Sequence, residues 1–143
     1  DTEVLNNFNK IDLTIVEREK EELKKAKKKK TRDSIALAAL NKDYLNFHFE
    51  NKRKFSAIFG NPPYVKSNYL TAEQKALAKE IHLEQNLADR KINNIWTSFL
   101  VSGISKLQKD GLLAFVLPLE LLQVKFTEEI RDLLKTSYRD FYV

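Results

Sequence analysis

Two short apolar runs, each halted at proline and separated by helical periodicity, constrain this chain more than any other feature. Residues 55–59 read Phe, Ser, Ala, Ile, Phe and end at Gly60. Pro62 and Pro63 then forbid continued ladder pairing. Residues 112–117 read Leu, Leu, Ala, Phe, Val, Leu and stop at Pro118. Apolarity that is continuous rather than alternating predicts strands buried on both faces. Between the runs, Thr71 and Gln74 have capping-box spacing and open a helix to about Leu87. Residues 88–93 are polar and read as a loop. Ile95, Trp96, Phe99, Leu100, Ile104 and Leu107 follow as the apolar stripe of a helix ended by Gly111. Strand, helix, strand is a βαβ unit of a parallel sheet, with a right-handed crossover expected. A helix around 127–134 leads to a third strand over 138–143.

The first third reads differently. Val4, Leu5, Phe8, Ile11 and Ile15 recur at helical spacing, and Ile35, Leu37, Ala38, Leu40, Tyr44 and Leu45 repeat the pattern. No Gly or Pro interrupts before Gly60. The net charge of +5 is concentrated here: residues 17–32 hold nine basic and four acidic residues, and the remainder sixteen of each. Within that segment the acids precede the lysines, which complements the helix dipole, and Glu21 with Lys25 makes an i,i+4 pair. A solvated helix face explains the Lys24–Arg32 run better than phosphate binding does. The chain thus divides into a charged helical arm over 1–46 and an α/β portion over 47–143.

Composition removes several chemistries. There is no Cys, so disulfides, thiolate metal sites and cysteine nucleophiles are out, and a cytoplasmic location is expected. The three glycines, Gly60, Gly103 and Gly111, are too scattered for a Gly-rich phosphate loop. His48 and His82 lie far apart in sequence and read as surface or loop residues, so no metal site is expected. No apolar run reaches membrane-spanning length. Beginning at Asp1, with neither Met nor a signal-like segment, the chain reads as a piece of a longer protein.

In parallel sheets, ligands bind beyond the carboxyl ends of the strands, where Asn61–Tyr64 falls. Pro62 and Pro63 have fixed φ and no N–H, making a stiff turn rich in acceptors. Pro62 also restrains Asn61 to an extended conformation, aiming its amide. The Asn61 side-chain oxygen and the Pro62 carbonyl can then converge on one amino group. Holding both of its protons turns the nitrogen lone pair out of conjugation, toward an electrophile. Tyr64 supplies a flat surface for the ring bearing that amine. Such a site suits a planar amine or amide that must become nucleophilic.

Residues 55–65 resemble the catalytic strand and loop of S-adenosylmethionine-dependent N6-adenine DNA methyltransferases of restriction-modification type. The signature of that family is Asp, Asn or Ser, then Pro-Pro, then an aromatic residue. Residues 94–100, 107–111 and 113–118 resemble the helix and strand that follow the loop, and 119–122 and 130–134 continue the pattern. The resemblance covers roughly 47–143. It implies a partial Rossmann-like methyltransferase fold preceded by the charged segment. It also implies that Asn61 and the Pro62 carbonyl hold the target amine of a flipped adenine while Tyr64 stacks on it. Pro63 stiffens the loop and, with Lys66, lies on the substrate-binding side.

Double-stranded DNA and the rest of a parent methyltransferase are the implied partners. The implied cofactor is S-adenosylmethionine. Family members bind it chiefly through a glycine-containing loop after the first strand and an acid after the second. Nothing in residues 1–46 matches either, so the main cofactor loop and the target-recognition region are expected outside this chain. Two alternatives stay open: a methyltransferase for a protein glutamine or an RNA base amine, and a non-catalytic assembly module on a degenerate methyltransferase fold.

Overall fold

The computed structural model describes residues 11–28, 35–88, 91–138, 140 and 142. They form two compact units, Asp1–Glu50 and Asn51–Val143.

The first unit corrects the all-helical reading of residues 1–46. Strand β1 (Ile11–Glu17), helix α1 (Lys20–Lys28), strand β2 (Ile35–Asn41) and helix α2 (Tyr44–Glu50) follow one another. The strands pair in parallel, from Ile11 opposite Ile35 to Glu17 opposite Asn41. Ile11, Leu13 and Ile15 alternate with Asp12 and Thr14, the period of a half-buried strand. Ile11 and Ile15 also lie four apart and fit a helix equally well, and sheet pairing decided between the two. The charged helix is present, with Lys24 on Glu21 at 2.7 Å and Lys25 on Glu22 at 2.6 Å. These pairs are i,i+3 rather than the expected Glu21–Lys25. Both are exposed and contribute little to stability. Val4, Leu5 and Phe8, and Lys29–Arg32 of the basic run, lie outside the described residues.

The second unit contains strand β3 (Phe55–Gly60), helix α3 (Ala72–Glu84), helix α4 (Trp96–Lys106) and strand β4 (Leu107–Phe115). The short helix α5 (Glu120–Gln123) and helix α6 (Glu128–Ser137) complete it. Strands β3 and β4 pair in parallel across the α4 crossover, as expected. Thr71 caps α3 with both halves of the capping box: Gln74 N–H donates to Thr71 Oγ1, and Thr71 N–H to Gln74 Oε1, each at 3.1 Å. Helix α4 is the centre of the core. Trp96, Leu100, Val101 and Ile104 are buried on it, packed with Ala78 and Ile81 of α3 and Ile130 and Leu134 of α6. Trp96 is thus a core residue.

Several sequence expectations need correction. Helix α4 ends at Lys106 rather than near Gly111. Strand β4 begins directly at Leu107 and contains Asp110, at φ 59°, and Gly111, where an added Cβ would stand 2.7 Å from Leu107 Cγ. Pairing advances from Leu107 to Leu112 on β4 while β3 moves only from Phe55 to Ala57, so this segment is a bulge. The strands are also not buried on both faces. Phe115 and Leu113 turn toward Gly103 of α4, while Phe59 and Leu112 on the opposite face are 69% and 57% exposed. No strand forms among the described residues of 138–143. The histidines are helical rather than loop residues: His48 is buried in α2, and His82 is half-buried in α3.

Candidate active site

Strand β3 ends at Gly60, and the Asn61–Tyr64 turn begins at its carboxyl end. The strand stops there because neither Pro62 nor Pro63 carries an N–H. Gly60 is required by packing: a Cβ on it would lie 2.9 Å from Phe115 Cε1 on the paired strand. Beyond the turn, Pro62 is buried, whereas Asn61, Pro63 and Tyr64 are exposed. The buried proline anchors the turn and leaves its polar and aromatic neighbours facing solvent.

Two sets of hydrogen bonds hold the turn. On the β4 side, Val116 N–H donates to the Gly60 carbonyl at 3.0 Å. The Tyr64 hydroxyl donates to the Val116 carbonyl at 2.9 Å. On the α4 side, Ile95 N–H donates to the Val65 carbonyl at 3.0 Å, and Ser67 N–H to the Asn93 carbonyl at 2.9 Å. Lys66 and Asn94 thereby form an antiparallel bridge. Helix α4 runs back along the strands, so its first turn arrives at their carboxyl ends. The tie to Asn93–Ile95 is the direct result.

The structure therefore holds Asn61, Pro62, Pro63 and Tyr64 on one continuous turn, with Lys66 and Tyr69 exposed just beyond it. Their proximity follows from sequence adjacency. What sequence reading missed is Val116, whose main chain ties both ends of the turn. The signal was present in part, since residues 112–117 were legible as a strand neighbouring residues 55–59.

Past Val116 the chain is also fixed. Thr127 is fully buried, and Arg131 Nη1 donates to its Oγ1 at 2.6 Å and to the Leu121 and Val124 carbonyls at 2.9 and 3.0 Å. These bonds satisfy carbonyls at the end of α5 that the helix leaves without partners.

A second feature missed from sequence lies in the first unit. Strand β1 ends on Glu17, whose Oε1 accepts the Glu19 N–H at 3.0 Å. Asn41 Nδ2 donates to the Glu17 carbonyl at 3.0 Å and to the Arg18 carbonyl at 2.6 Å, stitching the carboxyl ends of β1 and β2. Glu17 is thus an acid at the carboxyl end of a strand, a placement that the helical reading of residues 1–46 does not contain. Once β1 was read as helix, the position of Glu17 had no meaning.

No described helix is long and apolar enough to cross a membrane. The chain is 29% identical over 98 residues to the Type II methyltransferase M.AccI of Acinetobacter calcoaceticus, a match covering 68% of this chain. It spans 17% of that relative's length. The family model described as Eco57I restriction-modification methylase matches residues 3–142. That match takes in nearly the whole chain, both units included, and the chain belongs to the Eco57I restriction-modification methylase family.

Proposed function

We propose that this chain supplies the catalytic loop for methylation of adenine N6 in double-stranded DNA, with residues 47–143 as the catalytic portion. The observation that carries this reading is the rigid Asn61–Tyr64 turn, held at the carboxyl end of β3 with Asn61 and Tyr64 exposed. Asn61 Oδ1 and the Pro62 carbonyl accept the two protons of the amine and direct its lone pair outward. Tyr64 offers a ring face to the extruded base, which must leave the helix stack to be reached. Pro63 holds the turn stiff. Lys66, exposed just past the turn, supplies a salt-sensitive contact to a DNA phosphate in this reading.

S-adenosylmethionine, when bound, supplies an electrophilic methyl group on a sulfonium. Among this chain's own residues, the Glu17 carboxylate at the end of β1 is an acceptor suited to the cofactor's hydroxyl groups. The glycine-containing loop that completes such a site has no counterpart among these residues, since the first glycine is Gly60. The target-recognition surface is likewise assigned to the remainder of the protein.

The test is N6-methyladenine mapping in cells expressing the full-length protein beside its Asn61→Ala variant. A sequence-specific adenine mark lost in the variant is the expected result. Identical maps at equal protein abundance would remove the DNA reading and turn attention to glutamine or RNA amines, or to a non-catalytic role.

A further inference from the structure

Tyr64 and Gly60 bracket the Asn61–Tyr64 turn, and both are tied to one residue on the neighbouring strand. The Gly60 carbonyl accepts the Val116 N–H, and the Val116 carbonyl accepts the Tyr64 hydroxyl. With φ fixed at Pro62 and Pro63, the turn becomes a closed ring whose far point is the Val116 peptide. From this geometry we propose that the Tyr64 hydroxyl is a latch. Its bond to Val116 sets the plane of the stacking ring, relative to Asn61 and the Pro62 carbonyl, before any substrate arrives. Val116 is the positioning residue, acting through its main chain.

The proposal rests on the methyltransferase reading of the site and adds two statements to it. First, the hydroxyl proton is engaged with main chain, so Tyr64 has no donor to offer the substrate and meets it chiefly through the ring face. Tyr64 as a whole is 47% exposed, so the residue is accessible to a base. Second, the ring's orientation is ordered in advance, so binding need not immobilise it. An unlatched ring retains its apolar area but samples other rotamers, and the amine is then presented at the wrong angle more often. The loss therefore falls on turnover rather than on DNA affinity, which phosphate contacts dominate.

The experiment compares Tyr64→Phe and Tyr64→Leu with the wild type in the full-length protein. The probe is a duplex oligonucleotide carrying the site found by methylation mapping, with thermal melting as a folding control. The latch predicts that Tyr64→Phe lowers kcat about three- to tenfold, the effect of one hydrogen bond, at unchanged KM for DNA. Tyr64→Leu should abolish transfer. With 2-aminopurine at the target position, Tyr64→Phe should quench emission less completely than wild type does.

A Tyr64→Phe variant with wild-type kcat and quenching, beside an inactive Tyr64→Leu, would overturn the latch and leave the site reading standing. If neither variant changed transfer, both the latch and the stacking role would fall. A Tyr64→Phe protein as inactive as Tyr64→Leu, with a lowered melting temperature, would make the bond a folding element and overturn its positioning role. Absence of any adenine mark in the wild type would remove the parent reading, and the latch with it.

Discussion

Substituting Gly60 with Ala tests whether the strand pair at the base of the candidate site is packed as tightly as it looks. The new Cβ would stand 3.3 Å from Phe115 Cδ1 and 2.9 Å from Cε1, the latter about 0.5 Å inside ordinary carbon contact. An exposed aromatic ring would swing away at little cost. Phe115 has less freedom, because Cζ and Cε2 already lie 3.2 and 3.3 Å from where a Cβ on Gly103 would be. The ring occupies the space left by two glycines, one on β3 and one on α4. Overpacking of this kind costs about 1–3 kcal/mol.

Urea unfolding of Gly60→Ala should therefore show a lowered midpoint at unchanged slope. Phe115→Leu alone should cost less than about 1.5 kcal/mol. In the double variant the smaller side chain relieves the clash, so the two costs should fall short of additive by at least about 0.5 kcal/mol. A Gly60→Ala protein within about 0.5 kcal/mol of wild type, or a strictly additive double variant, would show that the ring relaxes freely and refute the packing argument.

Three further perturbations follow from described contacts. Thr71→Ala removes one half of the α3 capping box and should cost about 1 kcal/mol in urea unfolding; no measurable change would mean that the helix end is solvated as well as it is capped. Thr127→Val keeps the shape but loses the hydroxyl that receives Arg131 Nη1 and sits 2.9 and 2.8 Å from the Leu121 and Val124 carbonyls. It should destabilise by about 1–3 kcal/mol, and a neutral result would show that Arg131 alone suffices. Burial lowers the His82 pKa from 6.5 to about 4, against an opposing pull from Glu129. The unfolded chain therefore takes up the proton first, so the stability from neutral His82 is complete above pH 6.5 and is lost as pH falls toward 4. The loss is on the order of 3 kcal/mol; equal pH profiles for wild type and His82→Gln would contradict it.

The legible parts of the fold were those where one local signal had no competitor. Thr71 and Gln74 announced the α3 cap, and the prolines at 62, 63 and 118 punctuated the exits of both strands. The candidate turn was legible for the same reason, being contiguous in sequence. Strands β1 and β2 were illegible because their residues satisfy two periods at once. Residues 35–40 read Ile, Ala, Leu, Ala, Ala, Leu, a helix-favouring composition that parallel pairing with β1 overrides. The bulge before Leu112 was hidden for another reason. Gly111 looked like a helix terminator, whereas its lack of a side chain answers the close approach of Leu107 and the Ser56 carbonyl. The contacts of Val116 depend on main-chain groups, which no side-chain pattern reports.

The outer row of the β3–β4 sheet changes how mutational tolerance should be read here. Ala57, Phe59, Leu112, Ala114 and Val116 share the face turned away from α4, and all five are exposed. Accessibility taken alone would class them as freely substitutable. Parallel sheets are built to be covered on both faces, and a row with no polar member has the chemistry of an interior. A saturation scan of the full-length protein should therefore sort these sites with Leu100 and Ile104 rather than with exposed polar sites such as Glu73 or Lys75. Glu or Lys at Phe59 would be rejected, Leu or Ile accepted, and solvent exposure in this unit would cease to predict what evolution can vary.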